Sequence, residues 1–136
     1  MTLDAKFANQ LKITGQYTYT NTKDANGTEL VRRAKHIASL NLSYGFLANR
    51  ANLNVGIDYT GKQSDLQFSN FFASNRIVTL DEFTLLGVAG SYKLTDNIEL
   101  TGRIENLLDQ EYQEVLGSDA PGIGAYVGLN TTFRLP

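Results

Sequence analysis

The chain has 136 residues, a formal net charge of −2 from 12 basic and 14 acidic side chains, and 42% hydrophobic residues. This length allows one domain, and the lack of cysteine excludes disulfides and thiolate metal sites. The near-balanced charge argues against a nucleic-acid partner, and no apolar run of about 18 residues is present to form a transmembrane helix.

Apolar and polar residues alternate with a period of two along most of the chain. In 51–60, for example, Leu53 and Val55 alternate with Asn52 and Asn54. This alternation predicts β-strands with one apolar and one polar face. The predicted strands are, in chain order, 11–20, 37–46, 51–60, 80–94, 97–106 and 124–134.

The connections between these strands alternate in length. Long polar connections are predicted at 21–32, 61–79 and 107–123, and short ones at 47–50 and 95–97. This alternation is typical of an up-and-down barrel with loops on one rim and tight turns on the other. Two interpretations fit the pattern. One is a small soluble β-barrel that binds a hydrophobic ligand, and the other is a transmembrane barrel whose apolar side chains face lipid.

Three segments favour the second interpretation. They are LVRRAKH at 30–36, IENLLDQEY at 104–112 and APGIGAYVGLNTTF at 120–133. Together, and in this order, they resemble the C-terminal end of TonB-dependent outer-membrane receptors, with a resemblance that runs from about residue 11 to Phe133. Leu108 stands where the family usually has Phe, Ile123 where Arg is common, and residues 134–136 follow the terminal aromatic residue.

The resemblance implies an all-β fold: an antiparallel up-and-down meander of about six strands that forms part of a transmembrane β-barrel. Residues 1–136 would then be a single partial domain, the C-terminal strands of a receptor barrel, with no plug domain and no signal peptide. The long connections would lie outside the cell and the short ones in the periplasm of a Gram-negative bacterium.

The resemblance also implies a function and partners. The whole receptor would take up a scarce nutrient, either cobalamin or a ferric siderophore. The basic segment from Leu30 to Lys35, together with the penultimate strand and Asn106, looks most like cobalamin receptors. The expected partners are the rest of the barrel, the plug, outer-membrane lipids and the small-molecule nutrient. TonB would contact only the N-terminal part that this chain lacks. We expect no enzymatic activity, no cofactor and no nucleic-acid partner.

Ligand contacts are predicted in the outer loops, because loops on a rigid scaffold carry binding. Phe68, Phe71 and Phe72 stand in a polar stretch of 61–79, closely followed by Arg76. They offer apolar area to a ligand, although the same loop could fold back onto the rim. Arg33 belongs to a basic cluster that could bind an anionic ligand or lipopolysaccharide phosphates, or could set strand depth as rim charge.

The remaining polar residues suggest structural roles. The acidic residues of 109–119 lack the spacing of a calcium loop, so we expect a solvated loop and no metal site. Asn106 should cap its own backbone where its strand ends, and Tyr112 should lie at the membrane interface. The residues expected to line the barrel interior are Asn52, Asn54, Asp58, Arg103 and Glu105.

Overall fold

The fold is known from a computed structural model that describes residues 1–7, 10–23, 27, 30–67 and 76–133. No helix in this part of the chain is long and apolar enough to cross a membrane. The strands are β1 (Thr2–Phe7), β2 (Leu11–Tyr19), β3 (His36–Phe46), β4 (Ala51–Thr60), β5 (Gln63–Gln67), β6 (Arg76–Leu80), β7 (Phe83–Thr95), β8 (Ile98–Glu105), β9 (Gln113–Val115), β10 (Ser118–Asp119) and β11 (Gly124–Thr131).

Seven of these strands form one antiparallel sheet in the order β1-β2-β3-β4-β7-β8-β11. The six predicted strands correspond to β2, β3, β4, β7, β8 and β11, so the predicted meander is confirmed. Strand β1 was not predicted. The long connections 61–79 and 107–123 also contain structure of their own, because β5 pairs with β6 and β9 pairs with β10.

The register divides the sheet into an apolar and a polar face. One apolar row crosses six strands as Ile13, Leu42, Val55, Val88, Ile104 and Ala125. The adjacent row on the other face is Lys12, Ser43, Asn54, Ala89, Arg103 and Tyr126. The five residues predicted to line a barrel interior all lie on this polar face, as the alternation requires.

The apolar face is exposed rather than packed into a core. Leu53 is 38% exposed and Val127 is 84% exposed, whereas the buried hydrophobic residues of the described chain are Ala34, Ala51, Leu80 and Phe83. A soluble barrel would gather its apolar face into a dry interior. The exposed face therefore argues against the soluble-barrel alternative and fits a sheet whose apolar side meets lipid.

Aromatic side chains gather at both ends of the apolar face. Tyr17 and Tyr19 lie at the end that carries the long loops, where the Tyr17 hydroxyl lies 2.7 Å from Nδ1 of His36. Tyr44 and Phe46 stack at the opposite end, with ring centroids 5.9 Å apart. Two aromatic girdles that flank an apolar band are the pattern of a barrel wall at its two water interfaces.

The tight turn between β3 and β4 is built from left-handed backbone. Leu47, Ala48 and Asn49 have φ values of 53°, 52° and 64°. The Arg50 N–H donates to the Leu47 carbonyl over 3.1 Å and closes the turn. Positive φ at the central residues matches the right-handed twist of the paired strands, which is why such turns join hairpins.

Candidate functional site at the outer rim

Three long connections meet at the carboxylate of Asp65 in strand β5. Its Oδ1 accepts from Arg32 Nε and from the Leu66 N–H, and its Oδ2 accepts from the Leu116 N–H, each over 2.8 Å. The side chain is fully buried. One carboxylate thus joins the basic segment at 30–36, the β5–β6 hairpin and the 107–123 loop.

The Asp65 carboxylate stays ionised because its partners favour the negative charge. The hydrogen bond donated by the Leu116 N–H, followed by that from Arg32, holds the pKa of Asp65 below its ordinary value of 3.8, against an opposing effect of burial. An ionised, buried carboxylate needs every one of these partners, since a buried charge is costly unless paired and hydrogen-bonded.

Backbone contacts reinforce this joint. The Arg32 N–H donates to the Ser64 carbonyl over 2.6 Å, with Arg32 in the left-handed region at φ 60°. On the other side, Gln63 Nε2 donates to the Glu114 carbonyl over 2.7 Å. The base of the β5–β6 hairpin is therefore fastened on both flanks, and we call Asp65, Arg32 and Leu116 the rim joint.

Asn106 organises the 107–123 loop from within. It is buried, has φ 49°, and directly follows strand β8. Its Nδ2 donates to the Gln110 and Pro121 carbonyls over 3.0 and 3.3 Å, and its Oδ1 accepts from the Gln110 N–H over 2.9 Å. The predicted backbone cap is present, but it acts on the loop that follows rather than on Asn106 itself.

Tyr112 does not occupy the predicted membrane-interface position. Its ring packs on Phe83 with centroids 4.3 Å apart. Phe83 is buried, and its pairing with Thr60 puts it on the polar face of the sheet. The loop therefore folds over the inner side of the wall, because Phe83 there offers an apolar surface that Tyr112 covers.

A cleft of about 460 Å³ lies on the polar face beneath this loop. Asp58, Glu105, Tyr112 and Tyr126 are among its lining residues. Arg103 lies beside it, with Nε 3.4 Å from Glu105 and its guanidinium carbon 4.5 Å from the centre of the Tyr126 ring. Carboxylate and phenol oxygens with one neighbouring cation suit a ligand or partner that presents hydrogen-bond donors.

Only some of the predicted ligand-contact residues belong to the described part of the chain. Phe68, Phe71 and Phe72 lie outside the described residues. Arg76 is exposed at the start of β6, paired with Gln67, and Arg33 is exposed directly after the rim joint. The structure thus brings together the segments that carry the two arginines.

The residues of the basic cluster in 30–36 lie in different environments. Arg32 forms an internal ion pair with Asp65, so its side chain is committed to the rim joint. His36 contacts Tyr17 and Tyr19 at the aromatic girdle. The prediction of an anion site at the cluster therefore rests on Arg33 rather than on Arg32.

The acidic residues of 109–119 also have loop partners. Asp109 Oδ1 accepts from the Ile123 N–H over 2.9 Å, and Asp119 Oδ1 accepts from Gln113 Nε2 over 2.6 Å. Within the described ranges, no group of three or more His, Cys, Asp or Glu side chains could hold a metal ion. These carboxylates fix the shape of the loop.

Asp65 is the residue that sequence reasoning missed. It stands between Ser64 and Leu66 in a polar connection, where an isolated aspartate is normally solvated. Its three donors come from Arg32, its own neighbour and Leu116, which is 51 positions away. Only the fold could reveal this convergence.

Comparison with known proteins identifies the family. Residues 2–107 match the family described as TonB-dependent receptor-like, β-barrel. The vitamin B12 transporter BtuB of Vibrio cholerae is 33% identical over 110 residues, which is 81% of this chain and 17% of that protein. The iron-regulated outer membrane virulence protein of Vibrio cholerae is 28% identical over 138 residues, 97% of this chain and 20% of that protein.

Solved structures agree on the fold. The pyoverdine outer membrane receptor FpvA of Pseudomonas aeruginosa superposes with a TM-score of 0.83 at 17% identity, over 96% of this chain and 20% of that one. The ferric enterobactin receptor PfeA of Pseudomonas aeruginosa superposes with a TM-score of 0.77 at 19% identity, over 97% of this chain and 21% of that one. The chain spans about a fifth of the length of the proteins named here.

Proposed function

We propose a function for this chain from the premise that it belongs to the TonB-dependent receptor β-barrel family. It forms the C-terminal strands and three outer loops of a receptor barrel in the outer membrane of a Gram-negative bacterium. The whole receptor binds a scarce nutrient outside the cell and imports it with energy transduced by TonB. The family consists of receptors and transporters, and we assign no catalytic role to this segment.

The observation that carries the proposal is the rim joint above a two-faced sheet. The apolar face suits lipid, the polar face suits an aqueous interior, and Asp65 fastens three loops at one end. A joint of this kind holds the bases of the three loops in a fixed relation to one another, and preorganised loops lose less entropy on binding. This arrangement supports a role of the loop end in ligand binding, in addition to the role of the strands in forming the barrel wall.

Cobalamin is the leading ligand and a ferric siderophore the second. Support for cobalamin comes from the V. cholerae relative named as a vitamin B12 transporter, at 33% identity. Support for a siderophore comes from the iron-regulated relative at 28% identity. The proposed contacts are Phe68, Phe71, Phe72, Arg76 and Arg33, which lie on or next to the fastened loops.

The partners follow from the surfaces of the sheet. The edge strands β1 and β11 pair with the remaining strands of the barrel, because unpaired backbone groups cannot face lipid. The polar face, with its cleft under the 107–123 loop, faces the plug. The apolar face contacts outer-membrane lipids, and TonB acts through the N-terminal part of the receptor.

The test is uptake by the intact receptor that contains this segment. It is expressed in a strain that lacks its own cobalamin and siderophore receptors. Uptake of radiolabelled cyanocobalamin, and separately of a radiolabelled ferric siderophore, is measured with and without TonB. We expect TonB-dependent cyanocobalamin uptake. Uptake of a ferric siderophore alone would select the second ligand, and TonB-independent uptake or none of either nutrient would overturn the proposal.

The phenylalanine contacts have their own test in the same receptor. Burying one ring is worth roughly 1.5–3 kcal/mol, and part of this is lost in ordering the loop. We therefore expect each single change of Phe68, Phe71 or Phe72 to Ala to weaken ligand binding about tenfold. Leu47→Ala, on the short turn at the other end, is the matched control. Unchanged affinity in the triple variant would assign the rings to rim packing.

A further inference from the structure

The apolar face of the sheet has a depression at two adjacent glycines. Gly90 of β7 and Gly102 of β8 are paired in register, so no side chain covers this part of the wall. Leu53 and Val127, on the strands to either side, continue the same row and form its walls. Tyr92 and Leu100 close the end nearest the short turns.

Neither glycine is required by the backbone. A Cβ atom built on Gly90 would lie 3.5 Å from the Asn52 carbonyl oxygen, and one on Gly102 would lie 3.8 Å from the Tyr126 carbonyl oxygen. Both distances are ordinary van der Waals contacts, and neither residue has the left-handed φ that demands glycine. Glycine in a strand interior weakens the strand and often marks a bulge, a bend or the close approach of a ligand or another backbone. The register irregularity between β7 and β8 lies at Lys93 and Thr95, away from Gly90 and Gly102.

A cation lies at one end of the depression. Arg50, in the turn that joins β3 to β4, donates from Nη2 to the Lys93 and Leu94 carbonyls, each over 3.2 Å. Its guanidinium carbon is 6.0 Å from the centre of the Tyr92 ring. Both hydrogen bonds use Nη2, so Nε and Nη1 donate to neither carbonyl. The side chain is exposed but held in place at the rim.

The spacing between cation and depression matches one lipid molecule. The Arg50 carbonyl accepts from the Lys93 N–H, and Gly90 stands three residues further along β7. At about 3.3 Å per residue this is roughly 10 Å, the distance over which a headgroup and its glycerol give way to an acyl chain. Short turns mark the periplasmic end of an outer-membrane barrel.

We propose that this surface is a binding site for one anionic phospholipid of the periplasmic leaflet. The phosphate accepts charge-assisted hydrogen bonds from Arg50 beside Tyr92, and one acyl chain lies over Gly90 and Gly102 between Leu53 and Val127. Arginine suits the phosphate because its guanidinium stays charged and its remaining N–H groups donate charge-assisted hydrogen bonds, and the bare glycines let the acyl chain approach the backbone closely. This site is separate from nutrient binding at the outer rim.

The first test counts bound lipid on the intact receptor. Receptor in nanodiscs of phosphatidylglycerol and phosphatidylcholine is released into the gas phase, and retained phosphatidylglycerol is measured by native mass spectrometry. We expect Arg50→Gln to lower the apparent affinity about fivefold. Gly90→Leu should lower it about tenfold by filling the depression.

Two control variants distinguish loss of the lipid site from the general effects of removing a cation or of adding bulk to the apolar face. Lys62→Gln removes a cation at the opposite rim, and Ala5→Leu adds bulk to the same apolar face on β1. Both controls should retain phosphatidylglycerol like the wild type. Equal retention in all four variants would overturn the proposal, as would equal loss in variants and controls.

A second measurement needs no variant at all. Phosphatidylglycerol with a photoactivatable diazirine in one acyl chain is crosslinked to the wild-type receptor, and adducts are mapped by peptide mass spectrometry. We expect adducts to concentrate on peptides that contain Leu53, Leu100 and Val127, and to be displaced by unlabelled phosphatidylglycerol but not by phosphatidylcholine. Adducts spread evenly over the apolar face, or displaced equally by both lipids, would show ordinary bilayer contact and contradict the site.

Discussion

A single buried carboxylate decides how the outer loops of this segment are arranged. Asp65 accepts three hydrogen bonds, one from the Arg32 guanidinium and two from backbone N–H groups. Bonds of this kind, with an ionised acceptor, are roughly twice as strong as bonds between neutral groups. Replacing the carboxylate should therefore separate loops that are distant in sequence.

We expect Asp65→Asn in the intact receptor to loosen the 107–123 loop. The amide keeps the size of the side chain but loses the charge, and its NH₂ group cannot accept from the Leu116 N–H. Hydrogen exchange at the Leu116 amide should become roughly tenfold faster. Asp81→Asn is the control, because the Asp81 side chain is 93% exposed and lies 3.8 Å from Lys62. Unchanged protection of Leu116 in Asp65→Asn would contradict the rim joint.

Substitutions of Asn106 allow the cost of losing its hydrogen bonds and the cost of its positive φ to be measured separately. Asn106→Ala loses three hydrogen bonds and places a Cβ-bearing, non-polar residue at φ 49°. Asn106→Gly loses the same bonds, but glycine adopts positive φ without a steric penalty. We expect unfolding free energies to fall in the order wild type, Gly, Ala, with Ala lower than Gly by about 1 kcal/mol. Urea titration of the refolded receptor measures this, and equal values for Gly and Ala would show that backbone strain is absent.

At the scale of elements, the period of two predicted the strands of the sheet with small errors at their ends. Strand β1 was not predicted, because the alternation of Leu3, Ala5 and Phe7 with polar residues extends over only six residues. The hairpin of β5 and β6 was missed for a different reason. Its stability depends on Asp65 and on contacts with two other loops, and no alternation within 61–79 encodes those contacts.

The turn at 47–50 contains strain that a substitution can relieve. Ala48 has φ 52°, which costs a residue with Cβ about 1–2 kcal/mol, whereas asparagine tolerates this region better. We expect Ala48→Gly to raise the unfolding free energy by about 0.5 kcal/mol, the strain relieved less the extra chain entropy of glycine. Asn49→Gly should change it less. Urea titration of both variants measures the difference, and a larger gain at Asn49 would contradict this assignment.

The rim joint should be lost only when the pH is lowered. The folded-state pKa of Asp65 is lowered, so its stabilising contribution is complete above the ordinary value of 3.8 and is lost as the pH falls through the folded-state value. The loops should therefore stay joined at neutral and mildly acidic pH. Spin labels on Gln67→Cys and Ser118→Cys, in a receptor without other cysteines, report the distance between hairpin and loop by pulsed electron paramagnetic resonance.

The expected distance distribution is narrow from pH 7 to pH 5 and broadens only below pH 3.8. The same labels on an Asp65→Asn background should give a broad distribution that does not change with pH. A wild-type distribution that already broadens near pH 6 would assign the transition to another group.

At the scale of the whole molecule, the segment is a wall with two unlike surfaces. The sequence predicted this from alternation, since every second residue of a strand faces the same side. Alternation could not say which side meets lipid, because a soluble barrel has the same period. The exposed apolar face and its two aromatic girdles make that distinction.

Two adjacent positions of β4 test this assignment most directly. Val55 lies on the apolar face, paired with Leu42 and Val88, while Asn54 lies on the polar face beside Ser43 and Ala89. Lysine on the lipid side of a barrel costs about 2–4 kcal/mol near the middle of the membrane and close to zero near its surface. We therefore expect Val55→Lys to reduce the amount of folded receptor in the outer membrane sharply, whereas Asn54→Lys should assemble like the wild type.

A position on the apolar face but at a different depth in the membrane provides the control for the comparison of Val55→Lys with Asn54→Lys. Thr84 lies on the same apolar face as Val55 but at the outer end of β7, paired with Tyr59. Because the cost of a lysine depends on its distance from the membrane centre, Thr84→Lys should assemble nearly normally. Folded receptor is counted as the heat-modifiable band of isolated outer membranes. If Asn54→Lys fails and Val55→Lys assembles, the two faces are assigned in reverse, and if Val55→Lys and Thr84→Lys fail equally, the loss reflects disturbed strand pairing rather than contact with lipid.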